Sequence, residues 1–506
     1  MRLRPVRLLL IGAAIVPCVP ASADTLREAL LKAYQGNPTI TGQRAQQRAT
    51  DENVPIARAG ALPTVNATGQ LTEFVVQANN NFVNPTRQGV ANVQLSVPIY
   101  QGGAVKNGLR AAETRVDAGR ATLRSTEAQI FTSVVSAYMN VIRDEAVVGL
   151  NTQNVRVLET NLRASRDRFE VGDLTRTDVA QSEARLAQAR AQLQSAEAQL
   201  IASREDYINV VGSPPDRLEQ PPSLPNLPDA PSTAVSVALE SNPQLLAARR
   251  NADATRFDIG VARANRLPRL NAVTSGSYFN YLDSLTDQAV RAGIPGSGKN
   301  VNAGLQLNVP LFQGGRPAAQ VRQAEALRAQ AIENVTATER QVIAQARSAY
   351  AQWQASRQVI ASSEAAVSAN TLSLEGVRAE NSVGTRTVIE ILNAEQELLN
   401  SQVQLVTARR DAYVAGFALL AAMGNAEARD LGLDGGVLYD PVINYRRVRN
   451  RINDWGGDGE PMPVAVSTAN TPAQTAVVTR PLDSTVDRPV DRSPALTTGA
   501  ESPNRQ

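Results

Sequence analysis

The sequence predicts a mostly α fold with membrane β: an internally duplicated chain, each half a β-hairpin continued by long coiled-coil helices. Three observations predict it. The segment Val97-Pro98-Ile99-Tyr100-Gln101-Gly102-Gly103 recurs 212 residues later as Val309-Pro310-Leu311-Phe312-Gln313-Gly314-Gly315, and self-similarity at a fixed offset marks a repeated architecture. Apolar and polar residues alternate in paired short stretches of both halves, the period of a strand. Apolar residues also recur every seven positions over four heptads, the period of helices packed as coiled coils.

The N-terminus stands outside this plan. Arg2, Arg4 and Arg7 precede an apolar run from Leu8 to Val19, and Ala21-Ser22-Ala23 offers a small-x-small cleavage site. Residues 1–23 therefore read as a secretory signal peptide. The apolar run has 12 residues, short of the ~20 that a bilayer helix requires. Cys18 is the single cysteine, and Val16-Pro17 lacks the small residues that precede a lipidated one. Cleavage after residue 23 of 506 leaves 483 residues with no Cys and no His. It also removes three arginines, taking the formal charge from +3 to 0, so the pI of 9.1 is no argument for nucleic acid. Beyond the leader no apolar stretch reaches spanning length, so a membrane-embedded form would be a β-barrel.

The copies can be bounded by their echoes. Asn37-Pro38 and Leu62-Pro63 recur 205 residues later as Asn242-Pro243 and Leu267-Pro268. Ala137-Tyr138, Val171-Gly172 and Gly212 recur 212 residues later as Ala349-Tyr350, Val383-Gly384 and Gly424. The offset grows between Pro63 and Val97, so the second copy has the longer loop there. The first structural repeat spans 24–213 and the second 233–425. Residues 214–232 form a proline-rich linker, whose prolines forbid a helix interior and predict an extended crossing. Residues 426–455 follow the second copy. From 456 to 506 the chain is rich in Pro, Thr, Ser, Val and Asp without periodicity, which predicts a disordered tail.

Each copy opens with a helical stretch, 38–60 in the first. Val65, Ala67, Gly69 and Leu71 then alternate with polar neighbours, as do Gly89, Ala91, Val93, Leu95 and Val97 after the Asn79-Asn80-Asn81 loop. The second copy repeats this with Leu270, Ala272, Gly276 and Tyr278, then Val301, Ala303, Leu305, Leu307 and Val309. Period 2 on both arms predicts a β-hairpin. Seven of the 20 aromatics gather here: Phe74, Phe82, Tyr100, Tyr278, Phe279, Tyr281 and Phe312. That enrichment suits the interfacial girdles of an outer-membrane barrel. Periodicity alone does not choose between a barrel and a soluble hairpin packed on helices.

A Gly-Gly pair next opens a long helix. Apolar or small positions spaced by three and four persist from Val105 to Phe169, which are 65 residues and about 100 Å of helix. The descending helix is more regular. Val179, Leu186, Leu193, Leu200 and Tyr207 sit seven apart, and Ile391, Leu398, Leu405, Ala412 and Leu419 lie 212 residues later. Such a hairpin cannot bury its apolar faces alone. Two β-hairpins give four strands per chain, too few to close a membrane barrel; three chains would supply 12, which can.

Several chemistries are excluded. Without His or a mature Cys there is no His base, Ser-His pair, thiolate nucleophile or thiolate metal site. No paired carboxylates or Gly-x-Ser-x-Gly elbow stand out, so the chain is not expected to be an enzyme or to carry a cofactor. Gly293-Ile-Pro-Gly-Ser-Gly298-Lys299-Asn300 nearly spells a P-loop, but Asn300 replaces the hydroxyl residue and the segment leads into a strand. Acidic residues such as Glu183 and Glu197 read as solvated helix faces or intra-helix pairs with Arg.

From Thr25 to about residue 455 the chain resembles the TolC family of outer-membrane efflux and secretion ducts. The resemblance rests on Thr25-Leu26…Ala29…Asn37-Pro38 with its echo, the paired Val-Pro-(Ile/Leu)-aromatic-Gln-Gly-Gly segments, Val171-Gly172…Thr177-Asp178-Val179, and Val383-Gly384-Thr385-Arg386-Thr387. It implies a homotrimer whose 12-stranded barrel sits in the outer-membrane lipid and continues as an α-helical coiled-coil tunnel into the periplasm. It also implies an equatorial belt that includes 214–232 and 426–455.

The helix turns then become the candidate site. Asp178 and Glu390 are repeat equivalents, and in a trimer each would form a ring of three carboxylates that favours cations. The resemblance implies a periplasmic mouth narrowed at Glu390, with Asn393 where a second acid is expected. It implies that Arg386 and Thr177-Asp178 hold the tips closed, with Asn381 where a tyrosine can take part. The plain reading is helix capping by Asp178 and a solvated Arg386. The expected function is a passive exit duct for tripartite efflux or type I protein secretion, working with a periplasmic adaptor protein and an inner-membrane translocase on small-molecule or polypeptide substrates. The alternatives are a periplasmic coiled-coil adaptor or scaffold without a barrel, and a plain diffusion porin, which has no use for the long helices.

Overall fold

The computed structural model describes residues 24–77, 83–433 and 438–478. The signal peptide with Cys18, the Asn79-Asn80-Asn81 loop with Phe82, and residues 479–506 lie outside the described residues. The first copy runs α1 (Leu26–Gly36), α2 (Pro38–Asp51), α3 (Asn53–Ala59), β1 (Thr64–Glu73), β2 (Arg87–Tyr100), α4 (Ala104–Glu170) and α5 (Arg176–Val211). The second runs α6 (Pro231–Ser241), α7 (Pro243–Ala264), β3 (Arg269–Asn280), α8 (Asp287–Arg291), β4 (Ser297–Asn308), α9 (Arg316–Ser382) and α10 (Val388–Met423), followed by α11 (Pro441–Val448).

Local chemistry explains most boundaries. Asn37 and Asn242 cap α2 and α7 ahead of a proline at the first helical position, where a missing N–H costs nothing. The stretch 38–60 is two helices rather than one. Pro55 cannot donate to the Asp51 carbonyl and its ring crowds it; Gly260 stands at the equivalent place in the second copy, and α7 runs on unbroken. Gly103 and Gly315 start α4 and α9 in the left-handed region, at φ of 82° and 80°. The longer loop of the second copy holds α8. The P-loop-like segment becomes the start of β4.

The four strands form one antiparallel sheet in the order β1-β2-β3-β4. Its register puts Val65 opposite Leu95, Ala67 opposite Val93, Ala91 opposite Tyr278, Ala272 opposite Leu305 and Gly276 opposite Val301. One face is therefore apolar. The other carries Asn66, Thr68, Gln70, Asn92, Gln94, Ser275, Ser277, Asn300, Asn302 and Gln306, since side chains alternate along each strand. Among the described residues no helix covers the apolar face: Leu71 is 74%, Val301 76% and Leu305 70% exposed. Within the chain β1 and β4 each have an unpaired edge. Tyr278 and Tyr281 mark one end of the sheet. Tyr100, opposite Leu270, marks the other, about 26 Å away along β3 at 3.3 Å per residue.

Helices α4 and α9 have 67 residues each, about 100 Å at 1.5 Å per residue. α5 and α10 return along them for 36 residues. No described helix is long and apolar enough to cross a membrane. Two large apolar clusters dominate the helical part, with smaller ones around Leu245 and Val342, Val54 and Val116, and Leu419 and Met423. One gathers α1, α4, α5 and α10 around Tyr34, Phe131, Tyr138 and Tyr207, with Leu218 of the linker and Leu433 packed in. The other lies near the helix turns, between Leu158, Leu162, Leu374, Ile391 and Leu398.

The linker crosses extended, held by a repeated tyrosine. The Tyr138 hydroxyl lies 2.9 and 2.7 Å from the carbonyl oxygens of Asp24 and Glu219 and shares its one hydrogen between them. Tyr350, its equivalent 212 residues on, donates to the Asp229 carbonyl at 2.8 Å. Residues 456–478 carry no helix or strand, as their composition implies, but 474–478 is not loose. Arg204 donates to the carbonyls of Thr475 and Val477, Glu205 accepts from the Gln474 backbone N–H, and Ala476 and Val478 pack on the core. Composition does not reveal this anchor because it is set by two α5 side chains about 270 residues earlier.

Candidate functional site

The site is the pair of helix turns far from the sheet. Both are built alike. After α4 the chain turns through Gly172 at φ 86°, and after α9 through Gly384 at φ 82°, a conformation that suits glycine. Each following helix then opens with a threonine and an acid three residues on. Thr175 donates to Asp178 Oδ2 from its N–H (3.0 Å) and hydroxyl (2.7 Å), and the Asp178 N–H returns to Thr175 Oγ1 at 3.3 Å. Thr387 donates to Glu390 Oε2 from its N–H (2.8 Å) and hydroxyl (2.9 Å). These capping boxes satisfy the first backbone donors of α5 and α10.

The residues singled out in the sequence all fall at or beside these two turns. Asp178 caps α5. Thr177 lies exposed in the first turn of that helix, and Thr175 does the capping. Within its own turn Arg386 is half exposed and doubly paired. Its Nε donates to Glu380 and its Nη1 to Glu390, both at 2.6 Å, so it ties the two sides of its own turn together. The buried Asn381 donates to the Arg386 carbonyl at 2.7 Å, fixing the same turn from inside. Glu390 has both oxygens engaged. The Thr387 backbone donor, with help from Arg386, holds its carboxyl far below the usual range, at about 2. Arg386, between two carboxylates, is pushed up.

Asn393 has a different use. Its Oδ1 accepts from Arg185 Nη2 at 2.7 Å, which joins α10 to α5 and so one helical hairpin to the other. Beside it is a residue that sequence reasoning missed. Glu395 is buried on α10 and accepts from Asn161 of α4, 3.1 Å to each oxygen, and from Arg378 of α9 at 3.0 Å. The signal was present: an acid between Ile391 and Leu398 of the heptad seam. The Thr-x-x-acid pattern likewise marked Thr175 and Thr387 as caps. Glu183 is exposed, as expected of a solvated helix face, and pairs with Arg166 of α4 at 2.6 Å rather than with an arginine of its own helix.

The arrangement can fasten and release helices. It holds no nucleophile-base pair, and its carboxylates are spent on backbone donors, amides and arginines. Residues 29–213 and 234–425 match the family described as Outer membrane efflux protein. The chain is 33% identical over 442 residues to the outer membrane efflux protein BepC of Brucella suis biovar 1, covering 87% of this chain and 94% of that protein. It is 26% identical over 463 residues to the outer membrane protein TolC of Escherichia coli, covering 89% of this chain and 93% of TolC. The Campylobacter jejuni CmeC outer membrane channel shares the fold, with a TM-score of 0.70 at 16% identity over 85% of this chain and 90% of that one. A scaffold without a barrel is not favoured by this kinship or by the uncovered apolar sheet face. The duplicated match, the sheet and the paired helix turns agree: the chain belongs to the outer membrane efflux protein family.

Proposed function

We propose that three copies join their sheets edge to edge, β4 of one to β1 of the next, into a 12-stranded barrel that opens into a helical tunnel. The chain is then one third of a passive exit duct running from the periplasm through the outer membrane. The observation that carries this is the sheet itself, with both edges unpaired, an uncovered apolar face and an amide- and hydroxyl-lined opposite face. Apolar residues facing lipid and polar residues facing a lumen are the pattern of a membrane barrel. Aromatic residues at both ends of the sheet, Tyr278 and Tyr281 at one and Tyr100 at the other, suit the girdles that flank the apolar band of such barrels. Energy would come from an inner-membrane translocase reached through a periplasmic adaptor, with small molecules or an unfolded polypeptide as cargo.

In this assembly the helix turns form the periplasmic mouth, where Asp178 and Glu390 recur three times, with Thr177, Asn381, Arg386 and Asn393 nearby. Arg386 neutralises Glu390, so Arg386→Ala should raise cation preference and Glu390→Ala should lower it. The deciding experiment is oligomer mass and planar-bilayer conductance on one purified sample of the mature protein. A trimer with discrete conductance steps is expected. A monomer that stays soluble without detergent and never conducts overturns the duct.

A further inference from the structure

We infer that the inner wall of the duct carries, at its waist, an uncharged amide-lined track that holds an extended polypeptide in transit. The inference rests on the duct reading and names where cargo touches the wall. Helices α4 and α9 both pack along α7 and along α10. α10 meets α7 end to end, where Asn242 caps α7 and donates to the Ala422 carbonyl at 2.9 Å. α10 and α7 are thus one floor, with α4 and α9 as walls. Two cavities of about 580 and 660 Å³ lie between these walls and share Ser125, Gln129 and Gln244, so they form one groove. The linker fixes which way it faces. Tyr138 of α4 and Tyr350 of α9 hold the linker. They lie nine residues beyond Gln129 and five beyond Gln345, about 180° and 140° round their helices at 100° per residue. Leu419 and Met423 of α10 meet Leu227 of the linker, roughly a third of a turn from the groove residues Ala418, Ala421 and Ala422. A belt on the outside of the waist therefore leaves the groove facing the lumen.

No charged and no aromatic described side chain lines this groove. Charge returns only at its ends. The Arg115–Asp258 pair closes one end, seven residues from Thr122 and from Asn251 and so on the same helix faces. Arg410, which donates to Asn140 and Ser136, closes the other. From Arg115 to Ser136 α4 rises about 30 Å. The neutrality is repeated: the counterparts of Gln244, Ala247, Ala248 and Asn251, 205 residues earlier on α2, are Thr39, Gly42, Gln43 and Gln46. Three copies would therefore set a neutral collar round the waist. The amides of Gln129, Gln244, Asn251, Asn334, Gln341 and Gln345 line the groove, and none of them bonds to another described residue. Each offers both a donor and an acceptor, as does every peptide group of an extended chain, so they can bond a backbone of any sequence. A fixed charge would hold one sign of side chain and repel the other; this wall does neither. A site for a compact small molecule would be enclosed, apolar and aromatic, and this groove is open and has no aromatic lining. Each amide bond is weak against competition from water, so a chain is steadied without being trapped.

The test uses trimers of the mature chain in planar bilayers and an uncharged, flexible Gly-Ser-Asn peptide long enough to fill the track. The peptide should block the current in dwells about tenfold longer than a polyethylene glycol of equal length, which has no N–H to donate. Gln129→Ala/Gln244→Ala/Gln345→Ala should shorten the peptide dwells about tenfold and those of the glycol far less. Alanine favours helix, and Gln345→Ala alone carries the same comparison if the triple variant does not assemble. Gln129→Glu/Gln345→Glu should lengthen the dwells of a lysine-bearing form of the peptide and shorten those of a glutamate-bearing form, relative to wild type. Peptide dwells unchanged by the alanine variants overturn the track and leave the duct standing. So does a polyethylene glycol, or an uncharged drug-sized solute, held as long as the peptide and equally sensitive to these glutamines. A wild-type trimer that never conducts overturns both readings.

Discussion

Glu390 and Glu127 are carboxylates driven in opposite directions. Glu390, held at about 2 by the Thr387 donor and by Arg386, contributes to its turn fully above the ordinary value of 4.5 and loses that contribution as pH falls from 4.5 toward 2. The turn should therefore show constant amide protection from pH 8 to 5 and lose it below 4.5; earlier loss would contradict the pairing. Glu127, buried on α4, is pushed up to about 7 by desolvation, against the opposing charge of Arg44 and with a further push from Glu427. Its folded value exceeds its unfolded one, so its ionisation penalty grows as pH rises from 4.5 to 7 and is complete above. Glu127→Gln should raise the melting temperature more at pH 8 than at pH 5. Equal shifts would mean that the charge is not what costs stability. Thr175→Ala, which removes the cap of α5, should cost about 1 kcal/mol of helix end, read as faster amide exchange at residues 174–179.

At the scale of elements, duplication permits an internal control. Gly212 and Gly424 end α5 and α10 at φ of 88° and 82°. A Cβ on Gly212 meets nothing within 4 Å, whereas one on Gly424 would lie 2.6 Å from the Ser241 carbonyl oxygen and 3.0 Å from Asn242 Cα. Gly212→Ala should cost roughly 1–2 kcal/mol for the left-handed backbone alone. Gly424→Ala should cost clearly more, because backbone must move. Urea midpoints of the two variants make the comparison, and equal midpoints would refute it.

For the whole molecule, the two faces of the sheet should respond differently to the same charge. Leu305→Lys puts an ammonium on the apolar face and should cost about 2–4 kcal/mol near the bilayer midplane, seen as loss of trimer from the outer-membrane fraction. Asn302→Lys, on the amide face, should leave trimer yield intact and shift the reversal potential toward anions. If both variants insert equally well, the apolar face does not meet lipid.

The amino-acid order alone shows the duplication, the kind and order of the elements and the length of the long helices, and its paired motifs carry the family resemblance. The elements follow from periods of 2 and 3.5 residues and from capping and breaking residues, all of which act within a few positions along the chain. Even the split at Pro55 was legible in principle. Period 2 could show a hairpin with one apolar face, but not whether helices cover it; only the tertiary structure left that face bare and both sheet edges open. The tips divide in the same way. Glycine at the turns and acids after threonine could be read directly. The Arg386–Glu390 pair, four positions apart on one helix end, is of the same local kind; that Glu395 meets Asn161 from 234 positions away could not be read. Such pairings are chosen by how the helices cross, and crossing depends on the packing of four helices at once.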